Sequence, residues 1–132
     1  MRIVLDTNVL IAAFISHGNC NELLEHCALN HSVILSPFII SELREKLTGK
    51  FHYSKREADA VVRLLKSRFE VVRPAALEEA ICRDPDDDAI IATALSGNCS
   101  CIVSGDKDLL VLEKVQEIHV ISPANFWAFE NG

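Results

Sequence analysis

Short runs of aliphatic residues alternate along this chain with longer stretches of helical spacing. Ile3-Val4-Leu5, Val33-Ile34-Leu35, Val71-Val72, Cys101-Ile102-Val103 and His119-Val120-Ile121 are brief and almost wholly apolar. Such runs read as strands buried on both faces. Between them, apolar residues recur every three or four positions. Val9 to Ile15 opens a first helix, His17-Gly18-Asn19 breaks the pattern, and Cys20, Leu23, Leu24, Cys27 and Ala28 resume it as far as Asn30. Ser36-Pro37 supplies an N-cap and first-turn proline for a helix carrying Ile39, Ile40, Leu43 and Leu47 inward and stopping at Gly49. Ser54 and Glu57 form a capping box ahead of Ala58, Val61, Val62, Leu65 and Phe69. A short helix or turn is expected between Ala75 and Cys82, then a helix so apolar, Ala89 to Leu95, that most of its sides must be covered. A brief helix through Leu109, Leu110 and Leu112, and a last one opened by Ser122-Pro123, complete the series. Strands alternating with helices predict an α/β fold, a three-layer α/β/α sandwich with a central parallel sheet of about five strands. Residues 1–132 are expected to form a single domain.

Composition narrows the picture. Few residues are aromatic, so the core is mainly aliphatic. No apolar run is long enough to cross a bilayer, and Met1-Arg2 leads directly into a strand, so a cytoplasmic protein without a membrane anchor is expected. Five cysteines without a CxxC pair fit reduced thiols used as small core residues. The formal net charge of -6 argues against a nucleic-acid partner only if it is evenly spread. It is not: Arg44 to Arg73 holds nine Lys/Arg against four Asp/Glu, or +5, and the remainder holds four against fifteen, or -11. A basic arm on an acidic body reads either as a track for an anionic polymer or as a solvated helix face.

The acids are the candidate chemistry. Asp6 ends the first strand, Asp106 follows the fourth, and Asp88 lies in the first turn of the helix that leads into the fourth. Right-handed crossovers allow the ends of the first and fourth strands to be neighbours where strand order reverses, which would bring these acids into one crevice. Two carboxylates ~4 Å apart repel by about 4 kcal/mol at an effective dielectric of ~20, so such acids must share protons, stay apart or bind a cation. Oxygen ligands without a His or Cys cluster suit Mg²⁺ or Mn²⁺. Much of the Asp84 to Asp88 run is also explained as helix capping: Asp84 as N-cap, Pro85 first, Asp86 and Asp87 complementing the dipole. Asp88 shares a stripe with Ile91, Ala92 and Leu95, which favours it over Asp87 as the inward acid.

Ile3-Val-Leu-Asp-Thr-Asn-Val-Leu10, Ser36 to Glu42, Asp88-Ala-Ile-Ile-Ala-Thr-Ala-Leu95 and Ser104-Gly-Asp-Lys-Asp-Leu109 together resemble the PIN domain, in the version of VapC-like toxins of prokaryotic toxin-antitoxin systems. The resemblance spans essentially the whole chain. It implies a metal-dependent ribonuclease with catalytic Asp6, Glu42, Asp88 and Asp106. Asp6, Asp88 and Asp106 would hold Mg²⁺ or Mn²⁺, while Glu42 reaches the attacking water. Thr7, Asn8 and Ser104 would support them, with Asp87 and Asp108 as neighbouring acids able to share the metal. It further implies RNA as substrate, a small antitoxin as partner and a homodimer. Arg44, Lys46, Lys50, Lys55 and Arg56 are then candidate RNA-binding cations, and Phe51, His52 and Tyr53 add rings on which bases can stack. Two other acid-using folds fit less well. A receiver domain wants its Asp after the third strand, where Arg73-Pro74 stands; a haloacid dehalogenase wants a second acid where Asn8 stands. A non-catalytic PIN scaffold that binds RNA or a protein, or a housekeeping RNA-processing nuclease, is the remaining alternative.

Overall fold

The computed structural model describes every residue of the chain except His17, so the first residue of the expected break lies outside the described ones. Its strands are β1 (Arg2–Leu5), β2 (Ser32–Leu35), β3 (Glu70–Val71), β4 (Cys101–Val103), β5 (Lys114–Val115) and β6 (Ile118–Ile121). Its helices are α1 (Thr7–Ile15), α2 (Asn19–Asn30), α3 (Pro37–Gly49), α4 (Lys55–Arg68), α5 (Pro85–Ser96), α6 (Lys107–Leu110) and α7 (Pro123–Glu130). They build the expected three-layer α/β/α fold around a sheet ordered β3-β2-β1-β4-β6-β5. All pairings are parallel except β5 with β6.

The sheet therefore has six strands rather than about five. The unforeseen β5 is two residues long and turns into β6 through Gln116, whose φ is 52°. Hairpin turns with such backbone usually carry Asn or Gly, and this one has neither at the positive-φ position to mark it. Between Ala75 and Cys82, where a short helix or turn is expected, the chain is irregular with bends at Glu78, Glu79 and Cys82.

The central strands are buried as their composition requires: Ile3, Val4, Val33, Ile34, Leu35, Cys101, Ile102 and Val103 are at most 1% exposed. Helix α3 turns Ile39, Ile40, Leu43 and Leu47 inward, and the Ser54–Glu57 capping box starts α4 with both reciprocal hydrogen bonds, 2.9 and 3.0 Å. Helix α5 buries five consecutive residues, Ile90 to Ala94. At its end a Cβ on Gly97 would lie 2.9 Å from Ile34 Cγ2, so glycine is required by close approach to β2. Buried Thr93 reaches from α5 to Ser36 Oγ, 2.8 Å away, which ties α5 to the N-cap of α3. Among the described residues no helix is long and apolar enough to cross a membrane.

Candidate active site

Strands β1 and β4 lie side by side and parallel, and β2 and β6 continue the sheet away from them on opposite sides. Their C-terminal ends make the crevice at which open α/β sheets bind ligands. Asp6 follows β1 and caps α1. It is 7% exposed; its Oδ1 accepts from Thr7 N at 2.7 Å and its Oδ2 from Ser104 Oγ at 2.8 Å. Ser104, wholly buried after β4, accepts in turn from Asp106 N at 2.9 Å. One hydroxyl thus joins the ends of both strands and fixes two acids. Asp106 caps α6, accepting from Asp108 N at 2.9 Å.

The third acid to arrive is Asp87. Carboxylate oxygens of Asp87, Asp106 and Asp108 all lie within 4.8 Å of one another. Burial pushes Asp87 up to about 6, helped by the charges of Asp106, Asp84 and Asp6 and by a hydrogen bond with Asp106. Asp6 is likewise raised, by burial first; its bonds from Ser104 and Thr7 oppose the rise, and Glu42 adds to it. Like charges held together out of water favour any process that removes or neutralises one of them.

Asp88 is not in this group. Its Oδ1 accepts from Cys82 N at 2.8 Å, and the carboxylate also takes Ile81 N at 3.2 and 3.3 Å. Sharing a stripe with Ile91 does not turn Asp88 inward as expected, because α5 is buried on nearly every side and no one stripe marks an inner face. Asp87 is the buried acid, and Asp88 anchors the preceding loop.

Glu42 projects from α3 with its side chain 17% exposed and Lys46 Nζ 4.0 Å from Oε1. Lys46 also donates to Asn8 Oδ1 at 3.0 Å, joining α3 to the start of α1. Thr7 Oγ1 is buried without a hydrogen-bond partner. A buried hydroxyl without a partner is costly unless a ligand or water supplies one. Arg83, which the sequence did not single out, donates to Asp108 at 2.9 Å. No periodic signal marks it, because it lies in a loop.

The basic arm divides. Lys46 and Lys50 line a cavity of about 350 Å³ with Asn8, Ile11, Ala12, Ile15 and Phe51, linked to Glu42 through Lys46, and Lys50 Nζ is 5.6 Å from the Phe51 ring centroid. Arg44 and Lys55 face a separate groove between α3 and α4, where Arg44 pairs with Asp59 at 3.1 Å. Arg56 is exposed at the start of α4, and Tyr53 packs partly against the core.

The donor set fits a hard divalent cation: carboxylate oxygens at close quarters, no imidazole or thiolate among them, and an unpartnered hydroxyl beside Asp6.

Three solved structures share this architecture. VapBC2 from Rickettsia felis, bound to a DNA fragment from its promoter, matches with TM-score 0.67 and 19% identity over 92% of this chain and 98% of that one. VapBC-1 from nontypeable Haemophilus influenzae matches with TM-score 0.66 and 18% identity over 94% and 99%. VapC20 from Mycobacterium tuberculosis, a toxin that cleaves the Sarcin-Ricin loop, matches with TM-score 0.60 and 17% identity over 89% and 98%. At these identities the likeness is one of fold. No curated protein matches the chain. The sequence model of the PIN domain matches residues 2–108, most of the chain and every acid described above, and the chain belongs to the PIN domain family.

Proposed function

We propose that this protein is a divalent-metal-dependent endoribonuclease that hydrolyses phosphodiester bonds of single-stranded RNA and acts in the cytoplasm, as a homodimer, as the toxin of a toxin-antitoxin pair. The observation that carries the reading is the gathering of Asp6, Asp87 and Asp106 at the β1/β4 switch point, with Asp108 beside them. Family membership supports nuclease chemistry, and the VapBC architecture supports an antitoxin partner.

Asp6, Asp87 and Asp106 would hold the ion, Mg²⁺ or Mn²⁺, with Asp108 at the rim. When bound, such an ion lowers the pKa of a coordinated water and neutralises charge on the scissile phosphate. The protein's own groups do the rest. Glu42 accepts the proton of the attacking water, and Lys46 keeps Asn8 and Glu42 in register. Ser104 fixes Asp6 and the Asp106 backbone through one hydroxyl, so neither acid has to be ordered when substrate arrives. Lys50 and Phe51 offer the RNA a cation and a stacking face. Attack at phosphorus breaks the bond to the 3′-oxygen, leaving a 5′-phosphate and a 3′-hydroxyl.

The experiment is incubation of single-stranded RNA with the protein in Mg²⁺, in Mn²⁺ and in chelator, beside Asp6→Asn and Asp106→Asn. Cleavage that needs the ion, leaves 5′-phosphates and is lost in both variants is the expected result. Equal cleavage in all samples, or RNA binding without cleavage under any condition, overturns the enzymatic reading. Copurification with the product of a short adjoining reading frame tests the antitoxin, and sedimentation tests the dimer.

A further inference from the structure

A second polar cluster lies away from the acids, where the end of α2 and the start of β2 meet the end of α7. His26 Nε2 is 2.6 Å from Glu130 Oε2, and His31 Nε2 bonds the same oxygen. One ligand atom from each residue lies within 4.8 Å of the others. The side chains are 29%, 10% and 19% exposed for His26, His31 and Glu130. Phe126 and Trp127 wall the cluster, with the His26 ring centroid 4.8 Å from Trp127 and that of His31 6.0 Å from Phe126.

We propose that His26, His31 and Glu130 form a second metal site, selective for Zn²⁺ or another borderline transition-metal ion. Two imidazole nitrogens and one carboxylate are a donor set that binds Zn²⁺ with a position left for solvent, and it is poorly suited to Mg²⁺. Two ligands come from α2 and its C-cap and the third from α7, segments that the fold already holds together, so little ordering is needed on binding. With neutral imidazoles the Glu130 charge is offset by the Met1 ammonium beside His31, so the donor set rather than a net negative charge favours the ion. The proton balance is simple. Each ring that holds its hydrogen on Nε2, facing Glu130, moves it to Nδ1 when Nε2 takes the metal, so neutral rings release no net proton. His26 Nδ1 is 3.3 Å from the exposed Asn30 amide, which can turn its oxygen to accept that hydrogen. His31 Nδ1 accepts from the Met1 ammonium at 3.0 Å, at an exposed position, so that ammonium swings to solvent when Nδ1 takes the hydrogen. A bound ion would clamp α7 to α2 and leave the carboxylate crevice untouched.

The test uses full-length protein carrying Asp6→Asn and Asp106→Asn, stripped with chelator, so that the acidic site does not compete. Titration with Co²⁺ is followed by its visible ligand-field absorption and by calorimetry, and Zn²⁺ is then used to displace it. One equivalent is expected, with the intense band of a four- or five-coordinate ion, displaced by Zn²⁺ but not by Mg²⁺. Saturating Zn²⁺ at about a hundred times Kd is expected to raise Tm by about 5 to 10 °C. His26→Asn with His31→Asn should weaken binding at least about a hundredfold, and Glu130→Gln at least about tenfold. If circular dichroism finds the double variant unfolded, Glu130→Gln decides alone. Unchanged affinity in the folded variants, displacement by Mg²⁺, or no uptake of Co²⁺ at micromolar concentration overturns the site.

Discussion

Two acids, Asp87 at the β1/β4 crevice and Glu130 at the end of α7, meet opposite surroundings. Glu130 accepts from His31 and His26, and those bonds hold its carboxyl below the usual range. Asp87 meets burial and other carboxylates, and is pushed up to about 6. Partly covered acids are thus either matched with donors, which an incoming ion would have to displace, or left in mutual repulsion, which the fold maintains until something else supplies the positive charge. Asp88 repeats the lesson one residue from Asp87. Two backbone N–H groups satisfy it, and it belongs with Glu130 in kind.

Exchanging charge for amide at each kind of acid should give the largest effect. Asp87→Asn and Asp106→Asn should each lower the RNA cleavage rate about a thousandfold, since each removes a ligand of the proposed ion. Asp88→Asn keeps an oxygen for Cys82 N and should stay within about threefold of wild type, with any cost appearing in stability. Rates of the three variants side by side decide whether matched and unmatched acids differ in function.

Ser104→Ala comes next in size. It leaves Asp6 Oδ2 and Asp106 N without their shared partner, and should cost about 1 to 3 kcal/mol in denaturant unfolding and about 10- to 100-fold in cleavage. Ser104→Thr, which keeps the hydroxyl, should recover most of the cleavage rate.

A smaller effect follows from pH. Because folding raises the Asp87 pKa from 3.8 to about 6, the folded metal-free protein binds more protons than the unfolded chain between those values. Stability therefore falls as pH rises through that window, and Tm without metal should be a few degrees higher at pH 5 than at pH 7.5. Asp87→Asn should flatten the profile, and divalent ion should lift the value at pH 7.5.

The smallest effect belongs to Glu130, whose lowered pKa has the opposite sign. Its contribution is present above the unfolded value of 4.5 and is lost as pH falls through its folded value. Glu130→Gln should therefore melt a degree or two below wild type at neutral pH, with the gap closing as pH falls below 4.5.

Much of this contrast was legible before any coordinates. The aliphatic runs marked every parallel strand, Ser36-Pro37 and Ser54-x-x-Glu57 marked two helix starts, and Asp6 and Asp106 were placed by strand ends alone. Periodicity failed where burial has no preferred side: on α5, five consecutive covered residues hide which acid turns inward. It failed again at β5, whose turn lacks the usual residues. Nor could it foresee Arg83 on Asp108 or the convergence of His26, His31 and Glu130, since those contacts depend on how distant segments pack.

A Mn²⁺ titration of the metal-free protein read by electron paramagnetic resonance, with Asp87→Asn and Asp88→Asn in parallel, decides which of the two neighbouring acids holds the proposed ion. Mn²⁺ uptake by wild type and Asp88→Asn with loss in Asp87→Asn is the predicted result. Uptake retained by Asp87→Asn and lost in Asp88→Asn would contradict it.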